Sequence, residues 1–185
     1  MNYKHIILTR FNLQYDLQSN IHIQDSWLEE RFRLFEQYCF PSIIAQTNQQ
    51  FDWVILVSDQ TPKNYLSRLA KHTNSHLNIY IELCTYYEDV NVLYNNTGEK
   101  YVHGYDYLLS TRVDNDDMLA KDFVETLQKL LPATHASAVL TFTNGIQWFE
   151  HKDMAFAVAY DRNHFLSFWE EKQNIRTSLG IDHTK

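Results

Sequence analysis

Three carboxylates fall within four positions at Asp114, Asp116 and Asp117, directly after the run Tyr107-Leu108-Leu109-Ser110-Thr111-Arg112-Val113. Charge this dense does not lie inside a sheet. It belongs at the carboxyl edge, where a strand stops and the chain turns, and in open α/β sheets that edge is where ligands bind. Asp114 and Asp116, spaced i, i+2, can hold a hard divalent cation through oxygen ligands. Three clustered acids also repel one another, which implies a compensating cation. One acid alone would serve as a helix cap, and Asp117 is expected to cap the helix that follows. Arg112 has two open readings: an ion pair with these acids, or a fork onto phosphate oxygens.

The elements that must position these groups can be read from periodicity. His5–Thr9 reads as a buried first strand, followed at once by Arg10. Ser26-Trp27-Leu28-Glu29 matches a capping box, and the spacing of Leu28, Arg31, Phe32, Phe35, Tyr38 and Cys39 predicts an amphipathic helix with the stem of Arg31 at its margin. Pro41 is expected to interrupt it, with a restart at Ser42–Ala45. Phe51–Asp59 predicts a second strand ending on an acid, and Thr61-Pro62 opens a helix to about Lys71. Asp59 serves turn chemistry or a ligand contact on the same sheet edge as Asp114. Leu77–Leu83 predicts a third strand. Thr85–Gly104, rich in tyrosine, asparagine and acid, reads as a loop with one helical turn. Its tyrosines are expected to pack in the core, with one or two stacking on a ring of a ligand. Tyr107–Val113 is the fourth strand, and Phe123–Leu131 a helix stopped by Pro132.

The last third changes character. Ala138–Thr143, Ile146–Glu150 and Met154–Tyr160 read as strands, with turns at Asn144-Gly145 and at His151-Lys152-Asp153. Phe165–Trp169 reads as the start of a helix. The alternation predicts an α/β fold: a mainly parallel sheet with helices on both faces and an antiparallel β meander added at one side.

Composition limits the function classes. The chain has 185 residues, expected as one domain, with 44% hydrophobic and 15% aromatic content. A net charge of −7 shows no basic face for nucleic acid. An acidic protein that grips an anionic diphosphate needs a cation between them. Cys39 and Cys84 have neither disulfide nor metal-ligand spacing. No transmembrane-length run or signal peptide is visible, which predicts a cytoplasmic protein.

Four segments in order carry a resemblance: Ile-Leu-Thr-Arg-Phe-Asn, Phe-Glu-Gln-Tyr-Cys-Phe-Pro-Ser-Ile, Phe-Asp-Trp-Val-Ile-Leu-Val-Ser-Asp and Ser-Thr-Arg-Val-Asp-Asn-Asp-Asp. Over roughly residues 5–130 the chain resembles the "putative rhamnosyltransferase" family, whose members look like GT-A-fold glycosyltransferases. The resemblance implies a GT-A-like domain over 1–185, with 1–131 binding a nucleotide sugar and 132–185 supplying acceptor-side hairpins. It implies a metal-dependent transfer of a sugar, with rhamnose one candidate. The donor would be a nucleoside-diphosphate sugar, dTDP- or UDP-linked, and the acceptor a hydroxyl of a glycan or lipid-linked saccharide. Carried over, Asp114-Asn115-Asp116 is the Asp-x-Asp motif. Asp114 lies near the donor ribose or sugar, Asp116 ligates Mn²⁺ or Mg²⁺, and Thr9, Arg10 and Asp59 line the nucleotide.

An inverting transfer also needs a carboxylate to take the acceptor proton. Glu150, after Trp148-Phe149 at a hairpin end, is the expected base. Asp153 reads as a turn residue, and Glu170 and Glu171 as a solvated helix face. Trp148 reads as core, or as a ring on which a sugar stacks, and His151 and His183 are further metal-ligand candidates. The family pattern continues past Lys185, so a shortened acceptor side motivates a second reading: a non-catalytic nucleotide-sugar or glycan-binding relative. A metal-dependent phosphohydrolase ranks last, because Thr9 and Arg10 stand where its nucleophilic acid would be.

Overall fold

The computed structural model describes residues 1–131, 136–161 and 163–181. Six strands form one sheet: β1 (Tyr3–Arg10), β2 (Asp52–Ser58), β3 (Ile79–Cys84), β4 (Tyr107–Arg112), β5 (Ala138–Leu140) and β8 (Ser167–Glu171), in the order β3-β2-β1-β4-β8-β5. The first four run parallel, and β8 is antiparallel to both β4 and β5. A separate antiparallel pair, β6 (Asn144–Phe149) with β7 (Met154–Ala159), stands outside the sheet. The mainly parallel sheet with antiparallel additions on one side is therefore the architecture expected.

Alternation along the strands sends side chains to two cores. Ile7, Trp53, Ile55, Val57 and Leu109 face α1 (Asp25–Leu34), α2 (Phe40–Ile44), α3 (Lys63–Thr73) and α5 (Phe123–Lys129). Ile6, Leu8, Val54, Leu56 and Leu108 face α4 (Val90–Val102) and the segment carrying Ile175 and Leu179. Both faces are covered, so the central strands are buried almost throughout, as a parallel sheet requires.

Several local expectations are corrected. The capping box does not form: α1 begins at Asp25, two residues early, and Gln24 caps it with no side-chain bond. Pro41 does not break the helix, because a π-turn at Phe35–Cys39 shifts the register and runs straight into α2. The stretch read as a loop contains the 13-residue α4, capped by Asp89, whose Oδ1 accepts from Asn91 N at 2.9 Å. Its apolar face is narrow and includes Gly98, which hides the helical period. Asn144-Gly145 is not a turn but the start of β6, since β5 pairs with β8 instead. Residues 150–153 do make the hairpin turn, with Asp153 left-handed at φ 49°. Phe165–Trp169 leads into a strand, not a helix, and Glu170 is buried on it. Asp117 caps nothing, because α5 starts at Phe123 after Asp122. Pro132 and His183 lie outside the described residues. Among the described residues no helix is long and apolar enough to cross a membrane.

Gly98 marks the closest approach of α4 to the C-terminal segment. A Cβ there would sit 2.3 Å from Ile175 Cγ2 and 2.7 Å from Thr177 Cγ2. Gly98→Ala gains about 1 kcal/mol of helix propensity but overpacks a seam at a cost of about 1–3 kcal/mol. Overpacking is expected to win, lowering the urea midpoint. A midpoint equal to or above that of the parent chain would show that residues 175–177 do not pack on α4.

Candidate functional site

The site follows from sheet register. Leu8 pairs with Arg112 across β1 and β4, and continuing that register by two residues sets Arg10 opposite Asp114. The ladder is extended past the sheet by Val113 N donating to Leu8 O at 3.1 Å and by Asn115 Nδ2 donating to Phe11 O at 2.8 Å. Two chain segments distant in sequence are thereby locked into one rim.

Asp114 sits between two guanidiniums. Arg10 donates Nη2 to Oδ1 at 3.0 Å and to Oδ2 at 3.2 Å, with Nε at 3.4 Å from Oδ1. Arg112 donates Nη2 to Oδ2 at 2.7 Å and is itself buried. Burial pushes the Asp114 carboxyl up, but the hydrogen bond from Arg112 and the charge of Arg10 outweigh it and hold the pKa below the ordinary value. Asp116 is more exposed and pairs with a third guanidinium, Arg31 of α1, at 2.7 Å. With side chains 28% and 38% exposed, that pair contributes about 0–1 kcal/mol. Asp117 has its carboxyl raised to about 7, first by burial and then by the charges of Asp116 and Asp114. The repulsion read from the sequence is real, and three arginines compensate it within the chain.

These groups border a cleft of about 450 Å³ lined by Arg10, Phe11, Tyr15, Trp27, Arg31, Asp114, Asn115 and Asp116, among others. His22 belongs to the same wall. It is 4% exposed, and its Nε2 is buried without a hydrogen-bond partner among the described residues. Tyr94, from the tyrosine-rich stretch, reaches the rim through a 3.2 Å contact between its hydroxyl and that of Tyr15.

The fold thus brings together Arg10, Asp114 and Asp116, with Arg112 behind them. Thr9 is fully buried and accepts from Trp53 Nε1 at 2.9 Å, so it braces the sheet and does not line the cleft. Asp59 is exposed just beyond β2 and is not among the lining residues. Glu150 is held elsewhere: Arg33 donates to both of its oxygens at 2.7 Å and Tyr38 donates at 2.6 Å. Those bonds bring its pKa down to about 2, so it is a poor proton acceptor and fastens the hairpin to α1. Trp148, packed edge-on against Tyr38, shares that anchor. Arg31 and His22 were missed. Arg31 sits at the margin of a helix stripe, and only the fold shows which acid it meets.

Among the described residues no group of three or more His, Cys, Asp and Glu side chains is arranged to hold a metal. A Mg²⁺-type site needs only one or two carboxylates when substrate phosphates complete it. Asp116 fits that role, having its Oδ1 without a hydrogen-bond partner among the described residues and a weak pair on Oδ2. Asp114 fits it less well, because two arginines already occupy both oxygens.

No curated protein matches the chain by sequence. Solved structures similar to it include the following two. Staphylococcus aureus TarS, residues 1–349, shares 18% identity over 75% of this chain at a TM-score of 0.46. The "putative nucleotide-diphospho-sugar transferase" of Desulfovibrio desulfuricans G20 shares 11% identity over 98% at 0.45. The chain spans 34% of the length of the first and 65% of the second. A family model described as "Putative rhamnosyl transferase" matches residues 5–171, taking in β1, the acid cluster and β8. With nine-tenths of its length inside that match, the chain belongs to the rhamnosyl transferase family.

Proposed function

We propose that this chain binds a nucleoside-diphosphate sugar in the cleft at the ends of β1 and β4 and transfers the sugar to a hydroxyl of a glycan or lipid-linked saccharide. A dTDP- or UDP-linked deoxyhexose such as rhamnose is the donor class that the family suggests. The observation that carries this reading is the convergence of Arg10, Asp114 and Asp116 on one cleft through strand register. Arg10 offers a guanidinium that matches phosphate oxygens. Asp114 orients Arg10, while Arg112 keeps Asp114 ionised. Asp116, with Asp114 second, would hold Mg²⁺ or Mn²⁺. When bound, that cation would neutralise charge on the leaving diphosphate.

Titration of dTDP and UDP with and without Mn²⁺ tests the donor site. Asp116→Ala is expected to weaken the metal-dependent binding at least ~10-fold, the worth of a charge-assisted contact of about 1.5–3 kcal/mol. Tight binding indifferent both to Mn²⁺ and to the substitution would overturn the proposal. Turnover over a panel of donors separates a transferase from a binding-only relative, which would bind nucleotide without transfer or donor hydrolysis.

A further inference from the structure

Arg31 stands apart from the other two arginines of the site. Arg10 and Arg112 extend from strands and share Asp114. Arg31 instead comes from α1 and meets Asp116 at the cleft wall. Among the described residues it makes its hydrogen bonds through one nitrogen: Nη1 donates to Asp116 Oδ2 at 2.7 Å and, at the long distance of 3.4 Å, to Asn115 Oδ1. Its Nε is buried and has no hydrogen-bond partner among the described residues. Its guanidinium lies 5.4 Å from the centroid of the Trp27 ring.

A guanidinium is a planar fork that matches two acceptor oxygens at once. Here one tine is used and the Nε edge is empty. A buried donor left unmade is unfavourable, and turning the guanidinium onto an acceptor in the cleft would relieve it. The same oxygen that Arg31 occupies on Asp116 belongs to the carboxylate proposed for the cation. We propose that Arg31 is a phosphate-binding residue parked on Asp116 until the donor arrives. Loading is a one-for-one exchange of ion pairs: Asp116 turns to the cation and Arg31 turns its fork to the diphosphate. Trp27 keeps the guanidinium at the cleft wall once Asp116 has left, since a cation over an indole face is held by the ring quadrupole. Asp114 is excluded from this exchange because Arg112, bound to it at 2.7 Å, is buried.

The inference rests on the donor-site reading above, and the experiment separates the two. Calorimetric titrations would use UDP or dTDP, the matching nucleoside, and Mn²⁺ alone. Arg31→Gln is expected to weaken diphosphate binding in Mn²⁺ about 10- to 30-fold, the scale of one lost charge-assisted fork. Binding of the nucleoside, which lacks phosphate, is expected to stay within about twofold, while Mn²⁺ alone binds up to about 5-fold more tightly because Asp116 is no longer occupied. Arg31→Lys keeps the charge but not the fork, and is expected to lose about 3- to 10-fold on the diphosphate. It serves as the deciding variant should Arg31→Gln not fold. If the parent chain binds diphosphate with Mn²⁺ and both variants match it, Arg31 does not grip phosphate and the inference is overturned while the donor site stands. Equal losses for nucleoside and diphosphate would make Arg31 a purely structural residue and also overturn it. A parent chain that binds no nucleoside diphosphate with any cation would remove the donor-site reading itself.

Discussion

Replacing Asp114 with asparagine is expected to damage both the fold and the proposed donor cleft. The asparagine keeps the shape but removes the charge that two guanidiniums share. Arg112 is buried, with a side chain only 8% exposed, so its positive charge would remain in the interior without the charge of Asp114 against it. Breaking a buried pair from one side costs about 3–5 kcal/mol. That exceeds the pairwise value of any exposed ion pair here by several fold. Arg10, freed from Asp114, would also lose its fixed direction at the cleft. The combined expectation is a urea midpoint lowered by most of a small domain's stability margin and nucleoside-diphosphate affinity reduced about 100-fold or more. The comparison with Asp116→Ala is informative, because that exposed acid should affect binding with little change in stability. An Asp114→Asn protein within about 1 kcal/mol of the parent would show that the arginine pair does not organise this rim.

The second large effect concerns pH. His5 lies inside the sheet, 2% exposed. Gln128 Nε2 donates to its Nδ1 at 3.0 Å, and its Nε2 contacts Thr111 Oγ1 at 2.9 Å, which in turn contacts Ser167 Oγ at 2.9 Å. Burial, with a smaller contribution from Lys4, lowers the pKa of the ring to about 3. The unfolded chain therefore binds more protons between about 3 and 6.5, and stability is lost as pH falls through that window. At about 1.4 kcal/mol per unit, the loss reaches roughly 4 kcal/mol by the lower end. Glu170 acts in the opposite sense. Burial raises its carboxyl to about 7, against the hydrogen bonds it accepts from Arg176 N and Thr177 N at 2.8 and 2.9 Å. Its contribution is present below about 4.5 and lost as pH rises through 7, a change of roughly 3 kcal/mol. Asp117, raised to about 7, has the same sign as Glu170.

The two slopes oppose each other between about 4.5 and 6.5 and separate outside it. Urea midpoints from pH 4 to 8, for the parent, His5→Gln and Glu170→Gln, read them individually. The advantage of the parent over His5→Gln should shrink on acidification, and its advantage over Glu170→Gln should shrink as the solution becomes alkaline. A His5→Gln curve parallel to that of the parent would show that the ring takes up its proton as readily folded as unfolded. Glu170 has a further structural duty. Thr177 sits at φ 57° and ψ 164°, a strained conformation for a residue with a Cβ, costing about 1–3 kcal/mol. The carboxylate of Glu170 and the Ser110 hydroxyl, accepting from Ser178 N at 2.7 Å, hold the chain there.

The sequence alone determined the strands whose ends form the candidate site. β1, β2 and β4 are apolar runs that stop on polar residues, and hydrophobic runs and turn residues act within a few positions, so their signal is local. The acid cluster and the following helix could be read for the same reason. What was missed depends on partners far along the chain. Phe165–Trp169 is a short apolar run that suits a helix or a strand equally well, and only pairing with β4 and β5 made it lead into the buried strand β8. That pairing also took Glu170 from an expected solvated face to the interior. α4 was hidden because its buried side includes glycine and threonine, small enough to meet Ile175 and Thr177 closely. The sequence placed Asp114, Asp116 and Glu150 as three acids alike in type. Tertiary structure gave Asp114 two arginines, Asp116 one from α1, and Glu150 an anchor on α1. The role of an acid is set by the charges that meet it in space, and those arrive from residues up to 117 positions away.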